Sequence, residues 1–546
     1  MLKSRKWLSW VLPGFVLILG IGITLGLQIH NRDGVFFNGD AGLKALLAQQ
    51  LSTGKLDISL EIPQPAWVLT LWRQGLYPFA PPYAYEQQGN YFITFPFPFP
   101  TITAPFYALM GYHGLYVVPL LSLWVIWLRL WQVCRVWQIR SLITAMSLGL
   151  VILASPLTLY GAMYWEHTLA VALAFWGLSG LLFHVLPSST TNRISINEAL
   201  INGACVGLSV WLRPEFLCLI IILGMITVVS RLSWLPKRLQ AIVPRGLTLG
   251  VGIAFAGAMT LTVLGLLGVN AGVYGHPLGM YALNETSSVG SQTAQIWRNY
   301  LQMVIALLRY FPASVFVLGL SWFTKGRTRA AGVVLTAVGG LFAITVPLIA
   351  PSGADDVQWG PRLYLILIPL TGLMVAAGLQ YLWRFRQKRR IALATFALVL
   401  ALGFQANLIN GGLNIYSDPQ TNSVSLPSHY DPVAPAIAAL ANYNEPWVAM
   451  SQQQVAHQLW PTIQFKTFFL TETDQSIEQL ATGLLSQGES SFLYLCHPST
   501  PCSISEASTL ALPGGNSEGG TTVSISFESL GTFGKYPFYR GLITTN

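Results

Sequence analysis

Asp40 stands in Phe36-Phe37-Asn38-Gly39-Asp40-Ala41-Gly42-Leu43-Lys44, about ten residues beyond a long apolar run. Ala41–Leu51 then reads as a helix lying on a membrane, with Leu43, Leu46, Leu47 and Leu51 on one face. An aspartate at such a start caps the helix; held at a membrane surface, the same carboxylate is placed to act as a general base. Further along, Glu166 and His167 follow Tyr164-Trp165, Arg213 and Glu215 flank Pro214, and Asp355 and Asp356 precede Arg362 in Asp355-Asp356-Val357-Gln358-Trp359-Gly360-Pro361-Arg362. Ionisable groups at the edge of apolar segments are costly, so each should have a partner or a task. Arg213 with Glu215 suits a structural ion pair, and an arginine at a helix end suits snorkelling. The chemical reading is that Lys44, Arg213 and Arg362 clamp a phosphate beside a carboxylate base.

Several common catalytic signatures are absent. There is no GxxxxGK[ST] loop, no HExxH and no GxSxG. The sequence therefore shows neither ATP-driven nor zincin chemistry, and an energy-rich substrate would come from the membrane itself. No cofactor is assigned, and a divalent metal is left open. Cys496 and Cys502, in Cys-His-Pro-Ser-Thr-Pro-Cys, suit a disulfide in an oxidising exterior. Two free thiols, or a metal site with His497, are the weaker readings.

The elements that must position these residues are mostly membrane helices. Only 9% of the 546 residues are charged and 53% are hydrophobic, with a mean hydropathy of +0.53; an ordinary soluble protein is roughly 25% charged. That balance excludes a soluble globular enzyme and a disordered chain. Apolar length and flanking charge place eleven helices, near 11–29, 112–132, 141–160, 168–186, 198–212, 215–230, 246–269, 303–323, 331–350, 362–383 and 391–410. With the N-terminus in the cytoplasm, the inside segments hold 19 of the 30 Lys and Arg residues and, of the acids, only Glu198. The C-terminus then lies outside. The net charge of +9 comes from this loop asymmetry and does not point to nucleic acid.

The expected domains are 1–410, a membrane domain including a first outside loop at 30–105, and 411–546, a small extracytoplasmic α/β domain. The loop is dense in aromatics and prolines, giving flat faces suited to sugar rings or lipid head groups, or an interfacial aromatic belt. The tail holds ten acids and three basic residues. Strand-like runs at 447–451, 465–471, 492–496 and 521–527 alternate there with helix-like 452–459 and 474–486.

On four features the chain resembles the GT-C superfamily of membrane glycosyltransferases, which includes protein O-mannosyltransferases and aminoarabinose transferases. These are a basic-flanked first helix; an early loop acid in Asn38-Gly39-Asp40-Ala41-Gly42-Leu43-Lys44; the Gly207-Leu208…Arg213-Pro214-Glu215 turn; and Trp359-Gly360-Pro361-Arg362 opening a late helix. It looks most like bacterial members with a similar opening and a segment like Trp165-Glu166-His167-Thr168. The resemblance spans roughly 1–410. It implies a plasma-membrane enzyme of the cell envelope that transfers a sugar from a polyprenyl-phosphate donor to a glycan, lipid or protein acceptor on the outer face. It also implies that the early loop acid, here Asp40, is the base. Many members carry a paired acid there; Gly39 and Ala41 flank Asp40 instead, leaving Asp355 and Asp356 as candidates for a second acid. The rival readings are a transporter or flippase for a lipid-linked substrate, and a non-catalytic envelope assembly protein. The absence of an obvious internal repeat disfavours the first.

Overall fold

Helices form where the apolar runs are unbroken, and prolines set many of their ends. A computed structural model of the chain describes residues 2–29, 34–36, 40–183, 194–229, 248–280, 282, 292–315, 327–349, 360–413, 430–498, 509–511 and 523–545. Asn38, Gly39, Asp355, Asp356, Trp359 and Cys502 lie outside the described residues. The helices are α1 (Leu2–Ile29), α2 (Asp40–Ser52), α3 (Ala66–Leu71), α4 (Pro98–Met110), α5 (Val117–Val136), α6 (Ser141–Leu153), α7 (Leu157–Gly161), α8 (His167–Phe183), α9 (Ile196–Leu212) and α10 (Phe216–Val229). They continue as α11 (Leu249–Tyr274), α12 (Gln292–Tyr310), α13 (Arg327–Ile349), α14 (Leu367–Leu382), α15 (Arg386–Phe404), α16 (Tyr430–Asn442), α17 (Gln453–Gln458) and α18 (Asp474–Ser486). Five helical stretches among the described residues are long and apolar enough to cross a membrane, and shorter apolar helices accompany them. The chain is a polytopic α-helical membrane protein with a C-terminal sheet domain.

Two compact units divide it. One comprises Met1–His30, Tyr116–Ile415 and Ser423–Leu426; the other comprises Asn31–Leu115, Tyr416–Asn422 and Pro427–Asn546. The loop at 31–115 thus belongs with the tail rather than with the helices before and after it.

In the helical unit, α9 packs between α8 and α11, and small residues let the backbones approach. A Cβ at Gly177 would collide with the Asn202 carbonyl oxygen, and one at Gly203 with the Phe255 carbonyl oxygen. Gly207 lies one turn after Gly203 and would bring a Cβ within 2.7 Å of the Thr262 Cβ. This is the small-xxx-small packing of membrane helices. Prolines correct three expected boundaries. The helix expected over 141–160 breaks around Pro156 into α6 and α7. The one expected over 303–323 instead ends at Tyr310, because Phe311-Pro312 turns into a short 3-10 segment, and it begins at Gln292. The last starts with a 3-10 turn at Arg362–Tyr364 before α14.

The second unit is built on a six-stranded sheet of β3 (Trp447–Met450), β4 (Thr467–Leu470), β5 (Ser491–Leu495), β6 (Thr509–Ala511), β7 (Val523–Phe533) and β8 (Tyr536–Thr545), while β1 (Ala84–Gln87) and β2 (Asn90–Ile93) form a separate hairpin. The order is β4-β3-β5-β8-β7-β6. The first three are parallel, joined by crossovers through α17 and α18, and the rest antiparallel. Capping boxes start α9 at Ser195 and α18 at Thr473.

The loop residues are wired into this sheet domain by hydrogen bonds across some four hundred positions. Trp72 Nε1 donates to the Phe468 carbonyl (3.1 Å) and Trp460 Nε1 to that of Gly34 (2.7 Å). The Ala80 N–H reaches Gln453 Oε1 at 2.8 Å, and Thr467 Oγ1 reaches Gln64 Oε1 at 2.8 Å. Gln453, just after the C-terminal end of β3, thus ties the sheet to the loop at Ala80 and Pro81.

The expected membrane-surface helix over 41–51 is found as α2, but it is not laid on a surface. Ala41 through Ala48 and Leu51 are all buried. Its leucine face packs as expected, while the opposite face is small enough to be covered as well: a Cβ at Gly42 would strike the His457 carbonyl oxygen.

Candidate functional site

In the helical unit, three chain breaks bring ionisable residues together. Glu166 precedes α8 and its carbonyl accepts from the Ala170 N–H (3.0 Å), so Glu166 and His167 sit at the mouth of that helix. Pro214 stops α9 after Arg213, which is extended (φ −145°), and Glu215 leads into α10. Gly360, at φ +70°, turns the chain tightly before Arg362, a conformation that glycine adopts without strain. The result is one narrow cleft lined by His167, Arg213, Glu215, Phe216, Arg362 and Leu363, among others. It leaves no room for a water-sized sphere, so the charges pack against one another rather than around a void.

Arg213 is the hub. Its Nη1 lies 3.3 Å from Glu166 Oε1 and its Nε 2.9 Å from Glu215 Oε1. The side chains of Glu166 and Glu215 are 2% and 7% exposed, so water does little to screen either pair. His167 lies among aromatic rings, 5.2 Å from both Tyr160 and Trp165. Tyr160 is fully buried, as is Tyr364, whose hydroxyl donates to the Ala343 carbonyl at 2.6 Å. Sequence reasoning singled out neither tyrosine; their position beside proline- and glycine-broken helix ends was the available signal.

Asp40 belongs to the second unit and is the first residue of α2. Lys44 follows one turn later on the same face. The residue is 2% exposed, and its Nζ stands 4.6 Å from the centroid of the Phe95 ring. Tyr83 is an aromatic neighbour of Asp40 that sequence reasoning did not set apart from the other loop aromatics. Burial first, and then the negative charge of Asp40, push its phenol above the ordinary range. The Tyr83 ring packs edge-on against His457 at 4.8 Å, and Phe79 lies 5.4 Å from the same imidazole. Burial holds His457 at a pKa of about 3, so this histidine is neutral, and its Nε2 finds no hydrogen-bond partner among the described residues.

Of the sequence-derived candidates, Glu166, His167, Arg213, Glu215 and Arg362 share one unit and one neighbourhood. Asp40 and Lys44 share the other unit. Asp355, Asp356 and Trp359 are outside the described residues. Cys496 is disulfide-bonded, while its expected partner Cys502 lies outside the described residues. Among the described residues, no group of three or more His, Cys, Asp or Glu is placed to hold a metal ion.

The fold has relatives among solved structures. ArnT from Cupriavidus metallidurans, bound to undecaprenyl phosphate, superposes with a TM-score of 0.51 at 13% identity, covering 96% of this chain and 98% of that one. The same protein in the apo state gives 0.51 at 12% identity, covering 98% of each chain. The oligosaccharyltransferase AglB from Archaeoglobus fulgidus, in complex with an inhibitory peptide and a dolichol-phosphate, gives 0.47 at 10% identity over 90% of this chain and 69% of that one. No family model matches the chain, and no curated protein matches it.

Proposed function

We propose, starting from the GT-C fold that this chain shares with the aminoarabinose transferase ArnT, that it is a membrane glycosyltransferase using a polyprenyl-phosphate-linked sugar. The observation that carries the reading is the convergence of Arg213, Glu166, Glu215, His167 and Arg362 on one cleft, in a fold whose ArnT example holds undecaprenyl phosphate.

In this reading the side chains that fill the cleft part to admit the donor phosphate, which Arg362 grips, with Arg213 adding charge held in place by its two glutamates. Lys44 is the third cation of the set, one turn after the base. Asp40 takes the proton from the acceptor hydroxyl, whose oxygen attacks the anomeric carbon. The bond from that carbon to the phosphate oxygen breaks, the polyprenyl phosphate leaves with the electron pair, and the configuration inverts. The active face is the outer face of the bacterial plasma membrane, with the N-terminus cytoplasmic and the C-terminal domain outside. Sugar and acceptor are read only as chemical classes: a lipid-phosphate sugar, and a glycan, lipid or protein hydroxyl.

The test is consumption of a panel of polyprenyl-phosphate sugars by the purified protein, wild type beside Asp40→Asn, with candidate acceptors added. Wild-type turnover reduced about 10²–10⁴-fold by the substitution, the range a general base contributes, with lipid binding retained, supports the assignment. Absence of both turnover and lipid binding overturns it.

A further inference from the structure

The sheet-domain unit carries a second concave surface that this transfer chemistry does not use. It runs between α3 with the turn after it, Trp72–Leu76, and α18, and encloses about 810 Å³ open to solvent. α18 buries Ile477, Leu480, Ala481 and Leu484. Its period then leaves Gln475, Glu478, Gln479 and Thr482 along the groove. The walls meet at Gly483, where a Cβ would come within 2.7 Å of Leu71 Cδ1. Across the groove Gln479 Nε2 donates to Gln74 Oε1 at 2.8 Å. Trp67 forms one wall and is held in place by Trp447, edge-on at 4.8 Å, and by Phe469 at 6.4 Å.

The lining chemistry is selective. Carboxamides and hydroxyls each donate and accept hydrogen bonds, as sugar hydroxyls require. A fixed indole offers a flat apolar face with a polar edge. Among the described residues of the lining, Glu478 is the only ionisable group and there is no cation, which disfavours phosphates, sulfated chains and nucleic acid. The volume is that of an ordinary ligand site. We propose that this groove binds a neutral oligosaccharide. The inference rests on the groove alone and stands or falls separately from the transferase reading.

The test uses the full-length protein in a detergent without a sugar head group. It is titrated calorimetrically with maltohexaose, cellohexaose, chitohexaose and mannohexaose, with heparin oligosaccharides and polyphosphate as anionic probes. The expected result is saturable binding of at least one neutral oligosaccharide, weakened tenfold or more by Trp67→Ala and by Gln479→Ala, and blocked by Thr482→Trp, which fills the groove. Should Trp67→Ala unfold the domain, the other two variants decide, with melting curves confirming that they are folded. The idea is overturned if none of the neutral oligosaccharides binds, if only the anionic probes bind, or if binding is indifferent to Gln479→Ala and Thr482→Trp. Donor consumption by Thr482→Trp, measured in parallel, keeps this outcome distinct from the fate of the transferase assignment.

Discussion

Arg213 holds two carboxylates that water hardly reaches, so its removal has a larger effect than the loss of an ordinary surface pair. Arg213→Met takes the guanidinium away from two buried carboxylates and should destabilise the helical unit by about 3–5 kcal/mol, read as a lowered melting temperature. Adding Glu166→Gln and Glu215→Gln should restore much of that stability, while donor-lipid affinity stays low if Arg213 serves the phosphate. His457 gives a pH prediction. The unfolded chain takes up this proton near pH 6.5, whereas the folded chain resists it down to about 3. Stability from His457 is therefore full above pH 6.5 and falls as pH drops toward 3. His497, also depressed by burial, acts in the same direction. Melting temperatures from pH 7.5 to 4.5 should fall more steeply for wild type than for His457→Gln; parallel curves would refute the assignment. Most of the clustered residues were legible because a charged side chain in a 9% charged sequence stands out. Tyr83 and His457 were not, since one hides among thirteen loop aromatics and the other lies some four hundred residues from the segment it packs against.

Local signals set the elements well where a cap or proline marked them. The helix expected over 474–486 is found there, starting behind its Thr473 cap, and the one expected over 198–212 ends at Leu212 before Arg213-Pro214. Hydropathy alone did worse. It placed a helix across Pro312, and it missed the β1–β2 hairpin inside a proline-rich loop and β8 after Gly534. α2 shows the limit of periodicity: four leucines define one apolar face, but alanines and Gly42 on the other face are small enough to be buried, a fact set by the partner rather than by α2 itself. Gly42→Val should therefore destabilise the sheet-domain unit through its clash with the His457 backbone. Gly203→Val and Gly207→Val should loosen α9 from α11. Each should cost about 1–3 kcal/mol, as overpacking of a close contact does, measured by thermal unfolding in detergent; unchanged melting at all three would contradict the close approaches.

At the scale of the molecule, the loop at 31–115 and the tail from 427 fold as one unit, so the tail is structural support for the segment that carries Asp40. Deleting 430–546 should leave residues 34–110 open to limited proteolysis and remove donor turnover even though no proposed reacting residue is lost; a truncated protein that keeps a protected loop would contradict this. Trp72 and the Phe468 carbonyl to which it donates are 396 positions apart. At a synthesis rate of about 5–20 residues per second, the aromatic loop waits on the order of 20–80 s for its partners, and β8, which pairs with both β5 and β7 inside the sheet, comes later still. For that interval a segment rich in tryptophan, tyrosine and phenylalanine has no core to enter. The nascent protein must shelter it against lipid or a chaperone, and a chain cut short before Gln453–Phe468 leaves the Asp40 segment in the membrane-inserted product without the partners it folds against.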